Sequence, residues 1–213
     1  MSDARQYAPA TERNRQPILD VLRQALPATG TVLEISSGTG EHITFFAPRL
    51  LHLQWIASEP DALLRKSIQA WGEVLPTQNL RLPPLDLDVS RSPWPVERLI
   101  PGLRQPITAI VNINMIHISA WDMCQHLMAG AERILPSEGV LYLYGPFKRE
   151  GVHTSPSNEA FDQMLRERNP AWGIRDLAAV SEIARQHSLQ LENVVAMPAN
   201  NFSVTFRRYP SPA

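Results

Sequence analysis

Apolar residues fall along this chain in two alternating rhythms. Short apolar or β-branched runs, Val32-Leu33-Glu34-Ile35, Trp55 to Glu59 and Ile107 to Ile113, read as strands. Between them apolar positions recur at helical spacing. They do so at Ile43, Phe45, Phe46 and Leu50, at Leu63, Leu64, Ile68 and Trp71 within Ala62 to Val74, and again from Trp121 to Leu135. A short strand is predicted at Asn79–Leu82, broken by Pro83-Pro84, and another at Val140–Tyr144. Pro17 suits the first turn of a helix reaching about Ala25. Ser157 is the expected N-cap of a helix to Arg168, and Asp176 to His187 reads as one more. Leu189–Met197 and Phe202–Tyr209 are strands joined by the short Pro198–Asn201 connection, the spacing of an antiparallel hairpin. The alternation predicts an α/β sheet of mostly parallel strands that closes in a hairpin.

The chain is organised around Thr31 to His42. A strand enters the turn Ser36-Ser37-Gly38-Thr39-Gly40, and a helix follows at once. Gly38 and Gly40 lack a Cβ, so the backbone can turn sharply and a ligand can lie on it. Amides at a helix start then face that ligand. The next apolar run ends in Glu59, about twenty residues after Gly38, the spacing at which a carboxylate accepts from ribose hydroxyls. An ordinary strand-to-helix turn would also use glycine. Strand, turn, helix and acid together favour a nucleoside cofactor. Leu85-Asp86-Leu87-Asp88-Val89 points both acids to one face, where either would accept from an adenine amino group.

Composition narrows the class. A chain of 213 residues that is 44% hydrophobic and 19% charged accommodates one globular α/β domain, residues 1–213, with residues 1–30 as an N-terminal lid and helix segment. The net charge of −1 and the lack of a basic run argue against a nucleic-acid partner. Cys124 is the one cysteine, and it sits in an apolar helical pattern, which excludes an internal disulfide framework and suits a buried thiol in a reducing compartment. No apolar run approaches membrane-spanning length and the polar start has no signal core, so a soluble cytoplasmic protein is expected. No metal-ligand set is assigned, and no feature specifies an oligomeric state.

The continuous apolar strand Ile107–Ile113 runs into Asn112-Ile113-Asn114-Met115-Ile116-His117, which places polar groups at the carboxyl edge of the sheet, where open α/β folds bind ligands. His117 is the one residue there with an ordinary pKa near neutrality and is the candidate base, against the plainer reading of an imidazole bonded to backbone. Asn114 would shape the site. Tyr144 and Lys148 start at the same edge and would hold a carboxylate or phenolate.

The order of elements resembles the class I S-adenosylmethionine-dependent methyltransferases. Their Glu/Asp-x-Gly-x-Gly-x-Gly pattern is matched by Glu34-Ile-Ser36-Ser-Gly38-Thr-Gly40, with serine at the first glycine position, and Asn114-Met-Ile-His117 resembles the Asn-x-x-His run after their fourth strand. Tyr7-Ala-Pro-Ala-Thr-Glu-Arg-Asn-Arg-Gln-Pro-Ile18, Ser36 to His42, Tyr144-Gly-Pro-Phe-Lys-Arg-Glu-Gly151 and Met197-Pro-Ala-Asn-Asn-Phe202 resemble a methyltransferase-like family of unknown function. The resemblance implies a single-domain Rossmann-like α/β fold, a seven-stranded mostly parallel sheet with an antiparallel C-terminal hairpin and helices on both faces. It implies S-adenosylmethionine as cofactor and a small-molecule methyl acceptor.

On that pattern Glu34 would orient the cofactor's ammonium or the turn, Ser36, Gly38 and Gly40 would admit its methionine portion, and Glu59 would take the ribose. Asp88, with Asp86 as rival, would reach adenine, and Asn112 would line the edge. Arg13 and Arg15 would meet a carboxylate. The segment Tyr7–Arg15 and the loop Gly145–Ser157 are expected to close together over the cofactor, with Gly145 and Gly151 as hinges.

Two other functions compete. Tyr144-Gly-Pro-Phe-Lys148 mimics the Tyr-x-x-x-Lys pair of NAD(P)-dependent short-chain reductases, but Gly145-Pro146 opposes the helix that pair needs. A non-catalytic cofactor-binding adaptor would keep the same turn.

Overall fold

The apolar runs become the middle of one seven-stranded sheet in a computed structural model that describes residues 3–98 and 105–209. In chain order the elements are α1 (Pro9–Ala25), β1 (Thr31–Ile35), α2 (Glu41–Phe46), β2 (Gln54–Ser58), α3 (Ala62–Val74), β3 (Leu80–Leu85), β4 (Ile107–Ile113), α4 (Trp121–Ile134), β5 (Val140–Gly145), β6 (Phe147–Lys148), α5 (Pro156–Arg168), β7 (Arg175–Asp176), α6 (Leu177–Gln186), β8 (Leu189–Met197) and β9 (Asn201–Arg208). The strand order is β3-β2-β1-β4-β5-β9-β8. The first five strands are parallel, and β9 pairs antiparallel with both β5 and β8. Every residue of β1 and β5 is buried, as expected of strands covered on both faces.

Alternation along the strands divides the core. Leu33, Ile35, Ile110, Leu141 and Leu143 pack with α4 and α6 on one face. Val32, Trp55, Val111, Tyr142 and Tyr144 pack with Ile18, Leu19 and Leu22 of α1 and with α2 and α3 on the other. Among the described residues no helix is long and apolar enough to cross a membrane.

Four expectations are corrected. The first helix begins at Pro9, and Pro17 lies inside it. Thr11 falls on the buried face one helical repeat before Ile18, so tertiary burial extends the helix where apolar periodicity gave no signal. Strand β3 runs through Pro83 and Pro84 to Leu85. It is an edge strand, and its prolines sit where the pairing with β2 shifts register, so their missing N–H groups cost no ladder bond. Helix α5 is capped by Ser155, whose Oγ accepts from the Asn158 amide at 3.2 Å, with Pro156 at its first position, rather than by Ser157. The segment after β5 is no free loop. Phe147 and Lys148 pair with Arg175 and Asp176, and the Gly151 amide donates to Asp176 Oδ2 at 2.6 Å.

One buried amide locks the approach to β2. Asn79 Nδ2 donates to the carbonyls of Ala47, Leu50 and Leu53 at 2.7, 3.2 and 2.9 Å, while Thr77 donates to its Oδ1 at 2.6 Å. Asn79→Ala strands those carbonyls without a donor and is expected to lower unfolding stability by about 2–3 kcal/mol, read from urea melts with an unchanged m-value. A loss below about 0.5 kcal/mol would mean that water replaces the amide.

Candidate functional site

The turn after β1 uses the left-handed region three times, at Ser36 (φ 55°), Gly38 (φ 56°) and Gly40 (φ 92°). The two glycines serve different ends. A Cβ on Gly38 would meet no atom within 4 Å, so the space over it is open, whereas a Cβ on Gly40 would lie 2.7 Å from Ile68 Cα, so glycine is what lets α3 close on the turn. Ser36 is the non-glycine residue of the three, and it holds the left-handed conformation at some cost in backbone strain.

The end of β2 holds this turn. The Ser37 amide donates to Ser58 O at 2.8 Å, and Ser58 Oγ donates to Glu34 O at 2.7 Å. The Glu59 carboxylate accepts from the Gly38 amide (Oε2, 3.0 Å) and from the Asp61 amide (Oε1, 3.1 Å). Burial raises the pKa of Glu59, with the two amides acting against that shift. Each of its oxygens retains a lone pair for a further donor.

Three polar atoms in the layer behind this edge have no partner among the described residues: Glu34 Oε2, Asn112 Oδ1 and His117 Nε2. Glu34 is 1% exposed, and burial pushes its pKa up to about 8, the nearby Glu59 adding to the shift. Asn112 spends its amide on Ile35 O at 3.0 Å, tying β4 to β1. Asn112 is satisfied on one side and unmet on the other, and Glu34 keeps an unmet buried oxygen, the condition expected where a polar ligand completes the bonding.

The structure therefore gathers Glu34, Ser36, Gly38, Gly40, Glu59 and Asn112 at one edge. Asn114 joins them in a left-handed conformation (φ 65°), its amide bonded to Tyr144 O at 2.8 Å. His117 does not reach the edge. Its imidazole is fully buried, edge-on to Phe147 at 4.9 Å, with Nδ1 accepting from the Arg175 amide at 3.3 Å. Burial and the Arg175 charge drop its pKa to about 3, so the backbone-bonded reading describes it and it stays neutral throughout the working range. Asp86 and Asp88 share a surface groove with Arg91 and Pro95. Asp86 is ion-paired with Arg65 at 3.0 Å, and Asp88 accepts from the Ser90 amide and hydroxyl at 3.0 and 2.7 Å.

Arg13 is exposed on α1, opposite the face carrying Thr11 and Ile18, and Arg15 lies over the Phe45 ring. Lys148 is drawn away from Tyr144 into a pair with Asp162 at 3.0 Å, and Tyr144 and Lys148 stand in separate strands, so the reductase-like pair is not assembled. Gly145 is no open hinge: a Cβ there would lie 2.5 Å from His117 Nε2.

The pattern left several participants unread. Asn14 Oδ1 sits 2.8 Å from His42 Nε2, and burial raises the pKa of the Tyr144 phenol. Gln6 and Ala8 donate to Ser67 Oγ and Glu41 Oε2 at 2.8 and 2.5 Å, and Ser67 in turn donates to Thr39 O at 2.7 Å. The N-terminal segment is thus bonded to the glycine turn through two side chains. The one signal for these partners was the polar Glu41-His42 pair at the start of an otherwise apolar helix.

The fold so defined is that of the class I S-adenosylmethionine-dependent methyltransferases. The chain belongs to the family described as "Protein of unknown function (DUF938)", which matches residues 5–208. Among solved structures it is similar to an O-methyltransferase family 2 protein from Planctomyces limnophilus in complex with apigenin (TM-score 0.73, 15% identity, 94% of this chain and 60% of that one). It is also similar to an O-methyltransferase family protein from Burkholderia thailandensis (TM-score 0.73, 11% identity, 95% and 58%). A third is CalO1, a methyltransferase in calicheamicin biosynthesis in its SAH-bound form (TM-score 0.68, 13% identity, 94% and 55%). The chain spans somewhat more than half the length of these structures, and at such identities the likeness is one of fold.

Protonated Glu34 makes a pH signature. Its folded pKa of about 8 stands above the unfolded value of 4.5, so the folded state holds the extra proton between the two. The stability this contributes is full below about pH 4.5 and is lost as pH rises through about 8. Glu34→Gln removes that loss. The variant's melting temperature should gain on the wild type progressively from pH 5 to pH 8, and a difference independent of pH would show Glu34 to be ionised in the folded state.

Proposed function

We propose that this protein binds S-adenosylmethionine at the carboxyl edge of β1, β2 and β4 and transfers its methyl group to a small-molecule acceptor. The observation that carries this reading is the open ground above Gly38, whose amide is held by the buried Glu59 carboxylate, together with the unmet oxygens of Glu34 and Asn112 at the ends of β1 and β4. The fold of the chain, shared with methyltransferases, supports it. When bound, the cofactor supplies a methyl on a positively charged sulfur, and its displacement requires no covalent nucleophile from the protein.

The chain's part is to bind, orient and exclude water. Glu34 Oε2 meets the ammonium, Glu59 takes the ribose hydroxyls on its remaining lone pairs, and Asp88 faces the adenine amino group. Asn114 and Tyr144 hold the acceptor in line, which is where most of the rate would originate. With His117 withdrawn and neutral, the reading favours an acceptor that already offers a lone pair at working pH. A net charge of −1 supports a small acceptor over a nucleic acid.

Calorimetric titration tests this. S-adenosylmethionine and S-adenosylhomocysteine should bind and NADH should not. Glu59→Ala should weaken binding by about 1–3 kcal/mol, since ribose donors lose their acceptor. An ammonium beside Glu34 ionises it, so binding at pH 7 should release close to one proton, detected as a dependence of the heat on buffer ionisation. The release should vanish at pH 9 and in Glu34→Gln. Binding of NADH in preference to the sulfonium cofactor would overturn the reading.

A further inference from the structure

Thr39 sits between the two glycines of the turn, and two of its polar groups are held from outside it. Its carbonyl accepts from Ser67 Oγ at 2.7 Å, and its hydroxyl donates to Glu41 Oε2 at 2.9 Å. The same two side chains hold the segment before α1. Ser67 Oγ accepts from the Gln6 amide at 2.8 Å, and Glu41 Oε2 accepts from the Ala8 amide at 2.5 Å. Ser67 is fully buried and spends its one proton on Thr39, so the Gln6 amide meets a lone pair and the bonds run in one direction. One helical turn further along α3, Trp71 Nε1 donates to Gln6 O at 2.9 Å. The Tyr7 ring stands edge-on to Trp71 at 5.1 Å, and the Arg5 guanidinium lies 5.0 Å from its centroid.

The strap Arg5–Ala8 thus docks mainly through backbone groups, while Tyr7 stays 62% exposed. A segment that buries so little apolar surface opens at small free energy. On the other side of the shared anchors, Gly38 and Gly40 give the backbone around Thr39 unusual freedom, and each bond to Thr39 removes part of it. When the strap opens, Ser67 and Glu41 lose partners that fix their rotamers, and their hold on Thr39 loosens with them. Strap docking and turn order are bonded through the same two oxygens.

We propose that Ser67 and Glu41 are positioning residues for the glycine turn and that, through them, docking of Arg5–Ala8 and binding of the cofactor strengthen each other. The second half rests on the cofactor reading above. A turn already ordered by the strap loses less freedom when a ligand settles on it, and by linkage the ligand tightens the strap by the same factor.

The test has a ligand-free arm and a ligand arm, both on the full chain. Trp71→Phe removes the bond to Gln6 and leaves every bond to Thr39 in place. Hydrogen exchange at the Gly40 amide, which is bonded to Ser37 O at 3.1 Å, should then speed up about fivefold or more, the lower end of coupling between sites. Unchanged exchange would overturn the coupling. In the ligand arm, calorimetry should show S-adenosylhomocysteine bound about fivefold or more weakly by Trp71→Phe and by Ser67→Ala. Glu41→Gln, which keeps an acceptor oxygen, should retain affinity that Glu41→Leu loses. Asn79→Ala, which destabilises the scaffold alone, should bind as the wild type does. Excess S-adenosylhomocysteine should slow exchange of the wild-type Trp71 indole N–H, assigned in nitrogen-15 spectra by its absence from Trp71→Phe, by a factor similar to the affinity that Trp71→Phe loses. Wild-type affinity in the Trp71 and Ser67 variants, or an equal loss in Asn79→Ala, would overturn the positioning role. Gln6→Pro, which deletes an amide of the strap itself, carries both arms if Trp71→Phe does not fold. If the wild type does not bind S-adenosylhomocysteine, the cofactor reading fails and the positioning role toward it falls too, while Gly40 exchange still decides whether strap and turn are coupled.

Discussion

The ligand edge depends on the Glu59 carboxylate. Its two oxygens hold the amides of Gly38 and Asp61, so one side chain at the end of β2 fixes both the glycine turn and the start of α3. Asp61 caps α3 by accepting from the amides of Leu63 and Leu64. Ser37 and Ser58 lace the same two strand ends together. The acid expected to meet a ribose is therefore first a structural acceptor. A ligand's hydroxyls would be read by a carboxylate already oriented on two backbone donors, which limits the entropy lost on binding.

Buried polar groups differ in how fully the fold satisfies them. Asn79, far from the edge, uses its amide on three carbonyls and its oxygen on Thr77. Tyr142 in the core pairs with Ser203 at 2.5 Å. Glu34, Asn112 and His117 each keep an atom unmet. A buried carboxyl with no partner is costly unless it stays protonated, and the raised pKa of Glu34 is how the fold tolerates it.

The N-terminal segment has two characters. From Thr11 onward α1 is core, with Ile18, Leu19 and Leu22 fully buried against the sheet. From Gln6 to Ala8 it is bonded through Ser67 and Glu41 to the glycine turn. Within the segment expected to be lid and helix, Pro9–Ala25 is a helix packed on the sheet, with a short bonded strap before it. The partner loop is pinned as well, by its pairing with β7 and by Lys148–Asp162, and Gly145 is packed against His117 rather than free to swing.

The sequence by itself determined the strands of the sheet, the bounds of α3 and β4, the closing hairpin and the glycine turn with its acid. These are written in local periodicity and in residues whose backbone freedom or charge has one use at one place. It also brought Glu34, Gly38, Gly40, Glu59 and Asn112 to one edge, because parallel strands in an open sheet end on the same side. Only tertiary structure decided the rest. The first eight residues of α1 bury Thr11 instead of apolar groups, so no hydrophobic rhythm announced a helix. Pro83 and Pro84 continue a strand because β3 lies at an edge, a fact of sheet order. His117 and Lys148, polar and near the right strand ends, are claimed by Arg175 and Asp162 from the α5–α6 region, and Arg13 faces outward by helical phase. Whether a polar side chain is spent on the scaffold or left for a ligand depends on partners distant in sequence, and local pattern carries no record of them.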